Sequence, residues 1–368
     1  MTITKTYTIF SLLALALFSS CANGEKRNEN NDNGAANIDH KELRFPHELL
    51  ESFEDRPFMF YNVENLFDTI NDPETLDDDF LPDSEKQWTQ KRYNDKLEKL
   101  AAVLTHPSKN NPLFVGFAEI ENRFVVLDLM KTGRLAETKY RVVHHDAPDV
   151  RGIDVALAYD HDRFMVQYEE AIDLSIPEEP NYKTRDILYV KGLIKDSVDL
   201  HLFVNHWSSR RKGAKESEYK RINAAKTLLY KTDSIRNVDP NAKIIIMGDF
   251  NDYPNNKSIR EVLGAGHSEK EDHFVNLTLP LHEQGLGTYN YRGDWGMLDQ
   301  FIVSPSLVNP GKGLQIKGGK AHIVNDDKFM HFFDSGDKTP NKTYGGPRYL
   351  GGYSDHLAIY GYLTVIKN

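Results

Sequence analysis

Short apolar runs recur along the chain, and several stop abruptly at an acid, an amide or a histidine. The clearest is Ile244 to Met247, followed at once by Gly248-Asp249-Phe250-Asn251-Asp252. An unbroken and largely β-branched stretch predicts a strand buried on both faces. Gly248 then permits a close backbone approach that a side chain would block. Asp249 and Asn251 share a face if the strand continues. The other reading is a polar turn, for which Asp-Phe-Asn-Asp ahead of Pro254 has the right chemistry.

The same ending appears elsewhere. Phe58 to Val63 predicts a strand carrying Asn62, Leu113 to Ile120 a strand delivering Glu119, and 198–204 a strand running into Asn205-His206-Trp207. Further strands are expected over 140–143, 153–159, 164–168 and 187–194. Asp299 falls inside the strand-like run Trp295 to Ser304, where an unpaired carboxylate is costly and a partner is therefore required. His356, following Ser354-Asp355 at the opening of a last strand, offers one, and an acid on its ring would fix its tautomer and stabilise its cation.

Helical spacing is confined to a few places. Trp88, Tyr93, Leu97, Leu100, Ala101 and Leu104 predict an amphipathic helix covering a sheet, and Tyr219, Ile222, Ala225, Leu228 and Leu229 predict another. Residues 68–85 hold eight acids and no base, but their spacing fits no EF-hand, so they read as a solvated acidic loop. The connection from Asn325 to Gly352 is long for a strand link and leads directly to His356, so it is expected to shape access for substrate.

The amino terminus adds a compartment. Lys5 precedes an apolar core, Ile9 to Phe18, of signal-peptide length and too short for a comfortable membrane span. Ser19-Ser20-Cys21 follows and resembles a bacterial lipobox, although Phe18 stands where such boxes usually carry leucine. An ordinary secretory signal is the alternative. Cys21 is the only cysteine, so it has no disulfide partner and lipidation would explain it. Residues 22–45 are polar and nearly free of apolar side chains, the composition of a disordered tether. The expected organisation is a lipoprotein signal peptide over 1–20, a lipidated cysteine and tether over 21–55, and one folded domain over 56–368. The protein is then exported and held to a bacterial membrane through lipid alone, on the outer membrane's periplasmic or surface side, and acts as a monomer.

Composition narrows the function. With 45 basic and 55 acidic side chains the net charge is -10, which argues against broad adhesion to nucleic acid while leaving room for a local basic track. Arg210, Arg211, Lys212, Lys215, Lys220 and Arg221 form the strongest basic cluster. A solvated helix face accounts for most of it, but Arg210 and Arg211, nearest His206, are placed to grip a phosphate. The 14 histidines include no HExxH zinc spacing.

Taken in order, Tyr61-Asn62-Val63-Glu64-Asn65, Ala118-Glu119, Asn205-His206-Trp207, Gly248-Asp249-Phe250-Asn251, Leu298-Asp299-Gln300-Phe301 and Ser354-Asp355-His356 resemble the endonuclease/exonuclease/phosphatase superfamily over residues 56–366. Pancreatic-type deoxyribonucleases, abasic-site endonucleases, sphingomyelinases and inositol-phosphate 5-phosphatases belong to it. The resemblance implies an α/β four-layer sandwich, two packed mixed sheets flanked by helices. It also implies roles: Glu119 with Asn62 and Asp355 at a divalent metal, and Asp249 aligning and deprotonating water with Asn251. His356 oriented by Asp299 would stabilise phosphoryl charge, and His206 would contact the phosphate and help protonate the leaving group. Magnesium is the expected ion, with manganese or calcium as alternatives. Arg151, in Arg-Gly-Ile-Asp-Val-Ala, matches a run in bacterial members and contacts either phosphate or an internal acid, Asp149 or Asp154. These residues point to a metal-dependent phosphoester hydrolase, foremost a nuclease. A phosphatase or phospholipase C for lipid headgroups, inositol or sugar phosphates is second, and an inactive binding lipoprotein third.

Overall fold

The computed structural model describes residues 53–194, 198–211, 213–267, 273–308 and 313–366. The expected signal peptide, Cys21 and most of the tether lie outside the described residues, as does Lys212. Two seven-stranded mixed sheets form the body of the domain. The first contains β1 (Arg56–Leu66), β2 (Phe114–Ile120), β3 (Tyr140–His144) and β4 (Asp154–Asp160). The second begins with β5 (Phe164–Ile172), β6 (Ile187–Ile194), β7 (Val198–His206) and β8 (Ile244–Asp249), and adds β9 (Ala265–Gly266), β10 (Phe274–Asn276) and β11 (Asp299–Val303). The first sheet is completed by β12 (Gly313–Ile316), β13 (His322–Ile323) and β14 (Ile359–Ile366).

Alternation explains the layering. Phe58 and Phe60 of β1 point between the sheets while Met59 and Tyr61 point outward, and Ile245 and Met247 of β8 do the same opposite Ile244 and Ile246. The inner faces meet in one core containing Phe58, Phe60, Phe114, Leu202, Met247 and Phe301. Helices α1 (Gln90–Leu104) and α2 (Arg123–Met130) cover the outer face of the first sheet through Leu97, Leu100 and Val125. Helix α3 (Glu218–Val238) covers the second. Its buried stripe is Arg221, Ala224, Ala225, Leu228 and Thr232, displaced from the expected one, and Tyr219 faces solvent.

Strand direction gathers the polar ends. β1 and β2 run parallel, as do β7 and β8, so Asn62, Glu119, His206 and Asp249 all arrive near the carboxyl ends of their strands. β11 runs antiparallel to β8 and pairs Asp299 with Asp249, and β14 runs antiparallel to β1, so their opening residues come to the same edge. Gly248 sits where a Cβ would lie 2.4 Å from the Asn205 carbonyl oxygen, which is the close strand approach its position implies.

Candidate active site

The strand ends turn sharply. Glu64, Asn65, Glu119 and Asn251 all have φ between 51° and 62°, the left-handed region that non-glycine residues seldom occupy. Four such residues at neighbouring strand ends mark a site whose backbone is held by its surroundings. At Glu119 the turn coincides with an irregularity in the β2 pairing, and it swings the carboxylate off the sheet.

Asn62 and Asp249 form the centre, both buried. The Asn62 amide nitrogen donates to Asp249 Oδ2 at 3.1 Å and to Glu119 Oε1 at 3.3 Å. Its oxygen accepts the Glu64 amide at 3.1 Å, so Asn62 here tethers the two acids through its nitrogen and keeps a second lone pair on its oxygen. Around Asp249 Oδ2 stand His206 Nε2 at 3.7 Å and His356 Nε2 at 3.9 Å. His206 Nε2 is also 3.9 Å from Glu119 Oε1. Of the two readings of Gly248 to Asp252, the structure shows the strand running into a polar turn. β8 ends at Asp249, Asn251 turns back to donate its amide N–H to Asp249 Oδ1 at 2.9 Å, and its side chain donates to the Trp207 carbonyl at 3.1 Å.

The two histidines carry different charges. His356 Nδ1 lies 2.7 Å from Asp299 Oδ2 in a buried pair. Burial works against a charge on His356, but Asp299, Asp249 and Asp355 together hold its imidazolium well above the usual histidine range. Burial, followed by Arg185, Arg151 and His356, drives His206 well below that range, so it is a neutral ring. Burial, with Asp299 and Glu119 against the pull of His356, pushes Asp249 up to about 6. A carboxylate in that range is ionised at neutral pH and suited to accept a proton.

Asp355, partly exposed beside His356, is pushed up to about 7 by burial and then by Glu64 and Glu119. Carboxylates gathered around a buried acid are a hard-oxygen donor set that a divalent cation would relieve. Glu119 adds its charge to the burial that raises Asp355, so the two acids act on one region of the site. Asp249, Asp299 and His356 also present ligand atoms within 4.8 Å of one another and could hold a metal ion, with Asp299 and His356 hydrogen-bonded to each other.

For Arg151 the structure shows the internal pair that was one of its two sequence readings. Arg151 chelates Asp149 through Nε and a terminal nitrogen, at 3.1 and 2.7 Å, and remains half exposed. It is thus the internal pair with Asp149, while its charge still reaches Glu119 and His206. Arg210 donates to Asn256 at 3.1 Å and lies 4.3 Å over the Tyr253 ring, whereas Arg211 is exposed. Arg221 is buried and paired with Asp252 at 2.7 Å, behind the Asp249 turn, and Lys220 pairs with Glu179.

Sequence reasoning passed over several supports. Arg185 is buried, bonds Asp149 at 3.0 Å and donates to the Trp207 carbonyl at 2.6 Å, the same oxygen that holds Asn251. Tyr289 packs its ring against His356 at a centroid distance of 4.9 Å. Glu64 and Lys96 hold the long loop from behind. The left-handed Glu64 had one local clue, its place two residues after Asn62 at a strand end.

No curated protein matches this chain by sequence. Solved structures do match its fold. A D. rerio TDP2 humanized by 14 mutations aligns with TM-score 0.53 at 15% identity, covering 84% of this chain and 99% of its own. The Bacteroides thetaiotaomicron mannosyl-6-phosphatase aligns with TM-score 0.53 at 16% identity, covering 84% and 99%. The human Nocturnin catalytic domain with bound sulfate aligns with TM-score 0.52 at 15% identity, covering 85% and 95%. At these identities the likeness concerns the fold alone. A family model, described as Endonuclease/Exonuclease/phosphatase family, matches residues 58–365. The chain therefore belongs to the endonuclease/exonuclease/phosphatase family, whose members are hydrolases of phosphate esters.

Proposed function

We propose that this protein is a magnesium-dependent phosphodiesterase acting on nucleic acid, exported and lipid-anchored through Cys21. The observation that carries the reading is the arrangement around Asp249, a buried carboxylate tied to Asn62 and flanked by one charged and one neutral histidine. A phosphate ester repels an incoming oxygen nucleophile, so its hydrolysis needs charge neutralisation and in-line placement. The His356 cation meets the phosphoryl charge, neutral His206 donates an N–H to the same group, and Asp249 orients and deprotonates the attacking water. Glu119 and Asp355 would hold the divalent ion, which when bound supplies further positive charge at the phosphate.

A small phosphoester, such as a sugar phosphate or lipid headgroup, is a second reading with its own support. Arg210, Lys220 and Arg221 are engaged within the protein, which leaves fewer of the described cations of the basic cluster for a phosphate backbone. Arg211, exposed in the same run, is the cation better placed for substrate, and the half-exposed Arg151 reaches it only from its pair with Asp149.

A substrate panel tests both. Cleavage of DNA or RNA that needs magnesium, stops with chelator and is lost in Asp249→Ala supports the nuclease. Intact nucleic acid with release of phosphate or headgroup from the small esters shifts the assignment to the second reading, and no turnover at all refutes both. Retention of Cys21→Ser on membranes would contradict the lipid anchor.

A further inference from the structure

The long connection before His356 is fastened to α1 by a buried lysine. Lys96 is only 1% exposed. Its ammonium group donates to Thr343 Oγ1 at 2.5 Å, to the Tyr353 carbonyl at 2.6 Å and to the Glu64 carbonyl at 3.5 Å, and lies 4.0 Å from Glu64 Oε2. The Glu64 carboxylate closes the ring by accepting the amides of Thr343 at 2.6 Å and Tyr344 at 3.1 Å. Neighbouring turns of α1 add to the grip, since Lys99 donates to the Gly351 carbonyl and the Arg92 guanidinium lies 4.3 Å over the Tyr349 ring. The chain then passes straight into the site. Ser354 donates to the Asn62 carbonyl at 2.7 Å and accepts the His356 amide at 3.1 Å, with Asp355 between them.

A buried ammonium is expensive, and methionine would fill a similar space without charge. What its charge faces explains it. Glu64, Asp355 and Glu119 all favour the charged lysine, and burial opposes them, leaving Lys96 down at about 8. It is therefore still cationic at neutral pH.

We propose that Lys96 is a positioning residue, latching the 341–353 segment against Glu64 so that Asp355 and His356 are presented to the reaction, and countering the Glu64, Glu119 and Asp355 charges until a divalent ion arrives. The kinetic part of this proposal rests on the phosphoesterase reading above. The structural part does not.

The test compares wild type, Lys96→Met, Lys96→Arg and Thr343→Val in the full-length protein. It follows turnover of bis(p-nitrophenyl) phosphate, amide exchange over 341–353, and melting with and without magnesium. A misplacement of catalytic groups by about 1 Å costs on the order of 100-fold in rate, so Lys96→Met should lose about 30- to 100-fold in kcat with KM within about threefold. Its Thr343 and Tyr344 amides should exchange faster, and magnesium should raise its melting temperature more than that of wild type. Lys96→Arg should recover part of kcat because it restores the charge. Thr343→Val removes one acceptor and no charge, so it should lose about fivefold in kcat and carries the same test if Lys96→Met fails to fold. Wild-type kcat in these variants, or lost activity with unchanged exchange over 341–353, overturns the proposal. If no phosphoester is turned over by wild type while the exchange and melting differences appear, the latch stands and the phosphoesterase reading falls.

Discussion

Replacing Asp299 with asparagine should separate the electrostatic role of His356 from its position. The two side chains are nearly isosteric, and an amide oxygen can still accept from His356 Nδ1, where the 2.7 Å contact now lies. What disappears is a negative charge in a buried pair. With charge centres about 4 Å apart and an effective dielectric near 20, that charge contributes about 4 kcal/mol to the imidazolium. The loss lowers the His356 pKa from its raised position, because Asp299 is the largest of the charges that hold the imidazolium there. Asp249 and Asp355 remain, so the cation is weakened and not abolished at acid pH. Removing a preorganised charge from a phosphoryl site costs on the order of 100- to 1,000-fold in kcat. The expected pattern is that loss at pH 8, a smaller loss at pH 6, and little change in KM. Steady-state rates from pH 5.5 to 9 on bis(p-nitrophenyl) phosphate, with nitrogen-15 imidazole shifts reporting the charge on His356, would measure both parts. Activity within threefold of wild type across that range, with His356 shown to be neutral in the variant, would refute the assignment of its cation to the chemistry.

Two further perturbations probe the scaffold. Burial, opposed by a hydrogen bond from the Asp68 amide and reinforced by Asp68, Asp77 and Asp72, pushes Glu121 up to about 8. The folded chain therefore keeps a proton that the unfolded chain releases near the ordinary glutamate value, and stability should fall as pH rises from about 4.5 to 8. The loss amounts to a few kcal/mol at about 1.4 kcal/mol per unit. Glu121→Gln should flatten that slope in urea titrations of metal-free protein, and an unchanged slope would contradict the cause given. Gly248→Ala should destabilise by about 1–3 kcal/mol, because its methyl would press on the Asn205 backbone across a buried strand pair. Full stability with wild-type activity would show that β7 and β8 can separate freely.

The strand-end pattern was legible because it is local. β-branched runs buried on both faces announce themselves over a handful of residues, and once β1, β2, β7 and β8 are recognised their carboxyl-end groups become candidates together. The pairing of Asp299 with His356 was legible for a related reason, since a carboxylate inside a strand demands a partner whatever the fold. The loop supports were not. Glu64 meets the Thr343 amide across 279 residues of chain, and nothing near either residue announces the contact. Lys96 reads as one more charge on an amphipathic helix until the loop closes over it. Arg210 read as a substrate cation and Arg221 as part of a solvated helix face because sequence reports charge and not the acid behind it, here Asp252.

That difference bears on how the site works. The groups visible in sequence are those gathered at the strand ends, whereas the hidden ones, Glu64, Lys96, Arg185 and Asp149, are buried or partly buried ions that hold backbone or other side chains in place. Buried ion pairs add little net stability compared with apolar packing of the same volume. They do fix geometry, because their partners must sit at hydrogen-bond distance or leave a charge unmatched. Arg185 holds the Trp207 carbonyl that fixes Asn251, and Lys96 and Glu64 hold the segment that leads to Asp355 and His356. Each half of the site thus has its own buried cation behind it, and Asn62 joins the halves through Asp249 and Glu119. Single substitutions at these supports should therefore lower kcat as well as stability, because the partner left behind is a buried unmatched charge, whereas truncating Phe58 or Met247 in the shared core should act on stability first.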